Sequence, residues 1–223
     1  MDDARIYALV DHTLLTATAS WNEVTVICEE AIKYKTASVC IPPSFVKRVY
    51  KKYGDALIIC TVIGFPLGYS CLEVKKCEIE KAITEGASEL DVVINIGDVK
   101  DKNFEKITAE LTVLKEVSGD KILKVIVECC YLDQEEKIAL CKCVTDSGAD
   151  FIKTSTGFGS GGATIEDIKL FKKYIGTKVK IKAAGGMRTR EDFIAFINEG
   201  CSRLGTSSAI KALSGETTST LNY

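Results

Sequence analysis

The 223-residue chain has a single histidine, His12, and none of its 10 cysteines stands in a Cys-x-x-Cys pair. Zinc sites draw on closely spaced cysteine and histidine pairs, so this spacing argues against a metal centre. The cysteines fall instead within strand and helix patterns, where a free thiol behaves as a small apolar group; they are expected to be reduced. Basic runs are missing too. The chain has 29 Lys and Arg against 31 Asp and Glu, a net charge of −2. A nucleic-acid-binding face, which would appear as a basic stripe, is not expected. No stretch approaches the ~18 apolar residues of a membrane span. The opening residues, Met1-Asp2-Asp3-Ala4-Arg5, lack the apolar segment of a secretion signal. These absences predict a cytoplasmic protein with no membrane or nucleic-acid partner.

What the chain does contain is a repeated unit: a short apolar strand, a loop, then an amphipathic helix. Strands are predicted at residues 9–11, 37–41, 57–63, 90–94, 122–128, 151–154, 179–183 and 203–206. Helices are predicted over 21–34, 44–53, 72–84, 103–117, 133–147, 165–174 and 190–198, with a last one starting near Ser207. Glycines 54, 86, 148 and 200 mark helix ends, and Ser20 and Thr164 suit N-caps. Alternation of this kind predicts a parallel sheet. Eight repeats predict an α/β fold, a (β/α)8 TIM barrel forming a single domain over residues 1–223. A doubly wound open sheet is the alternative.

Barrel enzymes carry their reactive groups at the C-terminal ends of the strands. Side chains alternate across a strand with period two. In the seventh strand Val179 and Ile181 share one face and Lys178, Lys180 and Lys182 the other. The apolar face should meet the helices, so at least Lys180 and Lys182 are expected inside the barrel. The same reasoning places Asp91, Lys124 and Glu128 inside. Buried charges must pair or become neutral. For Lys124, Lys180 and Glu128 a compensated ion-pair network is the expected reading.

Lys153 and Lys182 stand apart from that group. Each lies near a strand end and is followed at once by small residues, Thr154-Ser155-Thr156-Gly157 and Ala183-Ala184-Gly185-Gly186. Two neighbouring ammonium groups disfavour each other's charge, which would free one amine to attack a carbonyl. Lys153 is the candidate nucleophile. Asp91 would hold the other lysine charged and relay protons. Service of both lysines as electrostatic groups only is the alternative. The loops Gly185-Gly186-Met187-Arg188 and Gly205-Thr206-Ser207-Ser208 follow strands seven and eight, where many barrels bind phosphate; ordinary turns are the bland reading. Gly157 to Gly162 matches G-x-G-x-x-G. A dinucleotide site also needs an acidic residue ~20 positions on. That region reads Lys180-Ile181-Lys182, so the segment is read as a flexible loop over the site.

Together these residues resemble class I deoxyribose-phosphate aldolase along essentially the whole chain. The resemblance runs through Asp11-His12-Thr13-Leu14, Val39-Cys40-Ile41, Gly64-Phe65-Pro66-Leu67-Gly68 and Glu89-Leu90-Asp91-Val92-Val93. It continues through Lys124-Val125-Ile126-Val127-Glu128 and the two lysine motifs to Gly205-Thr206-Ser207-Ser208. It implies metal-free, cofactor-free cleavage of 2-deoxy-D-ribose 5-phosphate to acetaldehyde and D-glyceraldehyde 3-phosphate, with Lys153 forming the imine. Asp91 and Lys182 match the family's proton relay. Cys40 and Thr156 match positions lining the sugar site, beside Gly157, and Asp11 with Thr13 a nearby polar edge. Some members carry a second lysine after the Thr-Gly pair; this chain has Phe158, which shifts phosphate binding onto Gly185, Gly186, Gly205, Ser207 and Ser208, with Arg188 beside them. Some members use a terminal tyrosine as a proton carrier, and Tyr223 stands at that place. The resemblance also implies a homo-oligomer, a dimer. Two other readings are a barrel enzyme of different chemistry on a phosphorylated small molecule, and a non-catalytic phosphosugar-binding barrel.

Overall fold

A computed structural model describes residues 1–214, so Tyr223 lies outside the described residues. Eight parallel strands close into a barrel in chain order. They are β1 (Val10–Thr13), β2 (Ser38–Ile41), β3 (Ile59–Ile63), β4 (Glu89–Val93), β5 (Ile122–Ile126), β6 (Phe151–Lys153), β7 (Lys180–Ala184) and β8 (Arg203–Thr206). The seam closes where Asp11 of β1 pairs with Gly205 of β8.

Several of the helices outside the barrel begin where the sequence supplies caps. α1 (Asp3–Tyr7) starts after Asp2, whose carboxylate accepts the Arg5 N–H. α2 (Trp21–Tyr34) opens with a capping box between Ser20 and Glu23, which satisfies N–H groups the helix itself leaves unpaired. α3 (Val46–Tyr53) is shorter than expected, because Pro43–Phe45 forms a 3-10 turn ahead of it. α4 (Leu72–Thr84) lies between β3 and β4, α5 (Ile96–Lys100) and α6 (Phe104–Ser118) between β4 and β5, and α7 (Gln134–Asp146) between β5 and β6. α8 (Ile165–Tyr174), α9 (Arg190–Glu199) and α10 (Ala209–Ser214) complete the ring. α1 and α5 were not expected. Each has only 5 residues, too few to display a 3.6-residue period.

The core lies between strands and helices. Leu90, Val92, Val125, Ile152, Ala183 and Leu204 are all fully buried there. Inside the barrel the two sides differ. One holds a small apolar cluster of Leu15, Cys40, Cys60 and Val62, with Phe65 packed on it. The other is charged.

Two interior expectations are corrected. Lys180 is exposed. It shares the pleat side of Lys182, but as the first residue of β7 it sits at the open N-terminal end, with its Nζ 5.7 Å from the centre of the Phe151 ring. Alternation predicted its side correctly; depth in the barrel depends on strand stagger, which one strand's sequence does not contain. Glu128 is buried but joins no lysine network. It lies beyond the end of β5 in a left-handed conformation (φ 55°), and its carboxylate turns to the loop after β6.

Candidate active site

Lys153 is the last residue of β6, and its side chain is 3% exposed. Its Nζ donates to Asp91 Oδ2 at 2.7 Å. Lys182 donates to the same oxygen at 2.6 Å and also to Asp11 Oδ2 at 2.5 Å. The two lysines, on adjacent strands in direct register, therefore meet at one carboxylate oxygen. The other Asp91 oxygen accepts from Lys124 at 2.8 Å and from the Cys60 thiol at 3.2 Å. Lys124 reaches Glu89 at 2.7 Å. Below it, Arg203 holds Asp11 at 2.5 Å and Glu89 at 2.9 Å.

Burial alone would push the Asp91 carboxyl up, but Lys124, Lys153 and Lys182 outweigh it and hold the group well below the usual carboxylate range. Asp11 is likewise held low against its burial by Lys182, Lys124 and Arg203. Burial favours the neutral form of Lys182, yet Asp11 and Asp91 prevail and raise it above an ordinary lysine. Both carboxylates thus favour the ammonium form of Lys182. Cys40, Cys60 and Asp91 lie close enough together to ligate an ion, as do Asp11, Cys60 and Glu89. Lys124 already supplies the positive charge there, its Nζ 3.2 Å from Cys60 Sγ.

Above this cluster a cavity of about 600 Å³ opens at the C-terminal ends of the strands. Of the lysines in the cluster, Lys153 lines it. Thr13, Thr156, Gly157, Gly185, Gly186, Gly205, Ser207 and Ser208 line it, with Arg188 and Lys211. Asp11 and Cys40 do not; both are fully buried beneath. Phe158 lines it as well, set edge-on to Phe65 at 5.3 Å between ring centres.

The lining is held by contacts that sequence patterns did not mark. The Glu128 carboxylate accepts the Thr156 N–H at 3.1 Å and the Thr156 hydroxyl, whose oxygen accepts the Phe158 N–H at 3.0 Å. Ser208 ties the two glycine-bearing loops together by donating to the Met187 carbonyl at 2.9 Å. His12 also lines the cavity, hydrogen-bonded through Nε2 to Glu30 on α2 at 2.7 Å. Glu89 and Arg203 were legible in hindsight. Glu89 is two residues from Asp91 on the same pleat side, and Arg203 pairs in register with Lys182.

The segment 157–162, expected as a flexible loop, packs against the end of β7. The Ala163 N–H donates to the carbonyls of Ala184 and Gly185 at 3.1 and 3.2 Å. A Cβ on Gly162 would come within 2.5 Å of the Gly185 carbonyl carbon. The absence of a side chain at Gly162 permits this close backbone approach. Gly162→Ala is therefore expected to displace the Gly185-Gly186 turn and raise KM for a phosphorylated substrate by about tenfold or more, with a smaller change in kcat. Steady-state kinetics on phosphorylated and unphosphorylated substrates measures this; an equal KM change for both would disconnect that turn from the phosphate.

A buried lysine cluster under glycine- and serine-rich loops, at the C-terminal mouth of a closed barrel, is the arrangement of a barrel enzyme acting on a small molecule. Known proteins narrow the class. The model of the DeoC/LacD family aldolases matches residues 5–215, and the chain belongs to that family; it is a carbon–carbon lyase. The deoxyribose-phosphate aldolase of Clostridium botulinum (strain Alaska E43 / Type E3) is 61% identical over 218 residues, 98% of this chain and 99% of that one. Among solved structures, the aldolase QR15 superposes with a TM-score of 0.90 at 35% identity, covering 96% of each chain. The tetrameric deoxyribose phosphate aldolase of Aeropyrum pernix superposes with a TM-score of 0.86 at 28% identity, covering 96% of this chain and 92% of that one.

Proposed function

We propose that the chain reversibly cleaves 2-deoxy-D-ribose 5-phosphate to acetaldehyde and D-glyceraldehyde 3-phosphate through an imine on Lys153. The observation that carries this reading is the position of Lys153: the single member of the buried charge cluster that lines the cavity, on the side facing the glycine loops.

The chemistry follows from that position. The Lys153 amine adds to C1 of the open-chain sugar; the N–C bond forms and the carbonyl oxygen leaves as water. As a base takes the C3 hydroxyl proton, the C3 carbonyl forms and the C2–C3 bond breaks. Its electron pair moves to C2 and the imine nitrogen, giving an enamine. Protonation at C2 and hydrolysis then release acetaldehyde and return the amine. The imine is the electron sink, so neither metal nor cofactor enters the scheme. Asp91 and Lys182 are the proton carriers. Asp91 sits 2.7 Å from the Lys153 nitrogen, and Lys182 is the ammonium held beside it. Backbone groups of Gly185, Gly186, Gly205 and Ser207, with Arg188, hold the phosphate, and Ser208 fixes the two loops around it through Met187. Thr156 and Thr13 meet the sugar hydroxyls, and Cys40 and Asp11 support the site from beneath.

Incubation with acetaldehyde, borohydride reduction and peptide mapping tests the reading. An ethyl adduct on Lys153, and full activity in chelator, are the expected results; a reduced protein with no adduct there would sink it.

The whole chain acts as one barrel domain, in the cytoplasm, as a homodimer. Leu67, Tyr69 and Val74, exposed by 54%, 70% and 45%, offer apolar surface for self-association. Sedimentation equilibrium distinguishes a dimer from a monomer or from the tetramer described for the Aeropyrum pernix enzyme. Among the described residues no helix is long and apolar enough to cross a membrane.

A further inference from the structure

We infer that Arg203 and Glu89, at the end of the barrel opposite the cavity, tune the readiness of Lys153 to act as a nucleophile by fixing the net charge of a closed ring of ion pairs. The inference rests on the imine reading above.

The ring can be followed atom by atom. Asp91 contacts Lys182 at 2.6 Å, and Lys182 contacts Asp11 at 2.5 Å. Asp11 contacts Arg203 at 2.5 Å, and Arg203 contacts Glu89 at 2.9 Å. Glu89 contacts Lys124 at 2.7 Å, and Lys124 returns to Asp91 at 2.8 Å. Charges alternate all the way round, three negative and three positive, so the ring is neutral. Lys153 hangs from it at Asp91 and is a seventh charge outside the count. An ammonium on Lys153 is therefore the one surplus charge of the cluster, and the free amine leaves the cluster balanced.

All six ring side chains are at most 13% exposed, so water and salt screen their fields weakly. Arg203 and Glu89 are the first residues of β8 and β4. One layer of ion pairs separates them from Lys153. They touch no part of the cavity, and their effect on the reaction is electrostatic. They are positioning residues.

Other groups face Lys153 from the remaining elements. Cys40 on β2 and Cys60 on β3 are buried beside Asp91. Glu128, after β5, is bound to Thr156, and His12 on β1, Arg188 after β7 and Lys211 on α10 line the same cavity. Lys180 on β7 lies at the solvent end. None of these is part of the ring, so changes at Arg203 and Glu89 alter its charge alone.

The signs are opposite. Arg203→Met leaves the ring at −1, which stabilises an ammonium on Lys153. Glu89→Gln leaves it at +1, which disfavours one. One unit charge removed from the far side of the ring, at an effective dielectric near 20, corresponds to a shift of about one pH unit.

The test measures the initial rate of Lys153 adduct formation with acetaldehyde and cyanoborohydride from pH 5 to 9, by mass spectrometry of the full chain. The midpoint of that profile should rise by about one pH unit in Arg203→Met and fall by a similar amount in Glu89→Gln. Arg203→Lys and Glu89→Asp keep the charge and should keep the midpoint, whatever they do to the maximal rate. The double variant Arg203→Met/Glu89→Gln restores neutrality and should return the midpoint toward that of the unsubstituted chain. Circular dichroism identifies any variant that does not fold, and each folded one is decisive against its charge-matched control. Midpoints that stay put, or that move in the same direction in both single variants, overturn the inference. Absence of any Lys153 adduct in the unsubstituted chain overturns the imine reading instead.

Discussion

Lys153→Arg is expected to lower kcat by about 10⁴-fold or more, the scale seen when a covalent nucleophile is removed. Arginine keeps the positive charge and much of the length, and so can still contact Asp91. It cannot form the imine, because its guanidinium stays protonated at every accessible pH. The substitution separates electrostatic service from covalent catalysis. If both lysines acted only through charge, arginine would retain much of the rate. Turnover assays with deoxyribose phosphate, beside a thermal melt to show that the barrel is intact, decide between them. A variant retaining a tenth or more of the activity would exclude Lys153 as the nucleophile.

Asp91→Asn should be costly for stability as well as for catalysis. Asp91 accepts from Lys124, Lys153 and Lys182 at 2.8, 2.7 and 2.6 Å, and is fully buried. An amide in its place leaves those three lysines facing a neutral group. Breaking a buried ionic arrangement by deleting one partner costs about 3–5 kcal/mol. The pH dependence has a definite sign. Folding holds the Asp91 carboxyl well below its ordinary value. Its contribution is therefore fully present above the unfolded value of ~3.9 and is lost as pH falls below that toward the folded one. Urea melts from pH 7 down to pH 3 should show the unsubstituted chain losing stability on the acid side, and the variant starting lower with a flatter acid limb. Equal loss in both proteins would assign acid sensitivity to other carboxylates, Asp11 first.

How these groups came to be recognised differs from residue to residue. The strands announced themselves because each is a short apolar run bounded by loop residues, and the helices by caps such as Ser20 and Thr164. Lys182 and Asp91 were legible because period-two alternation puts a charged residue on the barrel side of an otherwise apolar strand, and Lys153 because it stands at a strand end followed at once by small residues. The same rule named Lys180 and Glu128 as interior network members, and there it failed. Alternation gives the side of a sheet. It does not give the height within a barrel, nor the path of the chain past the strand end, where Glu128 turns left-handed toward Thr156.

The sequence by itself determined the eight-fold alternation of strand and helix, the two lysine motifs, the charged residue Asp91 in an apolar strand, and the glycines that follow strands seven and eight. Each is a local property: a hydrophobic period, a cap, a glycine after a strand. Only the tertiary structure decided that the lysines share one oxygen of Asp91, and that Arg203 and Glu89 close the ring behind them. It alone showed that Gly162 presses on Gly185. Those facts depend on which strands are neighbours and on the stagger between them, set by closure of the whole barrel rather than by any one segment.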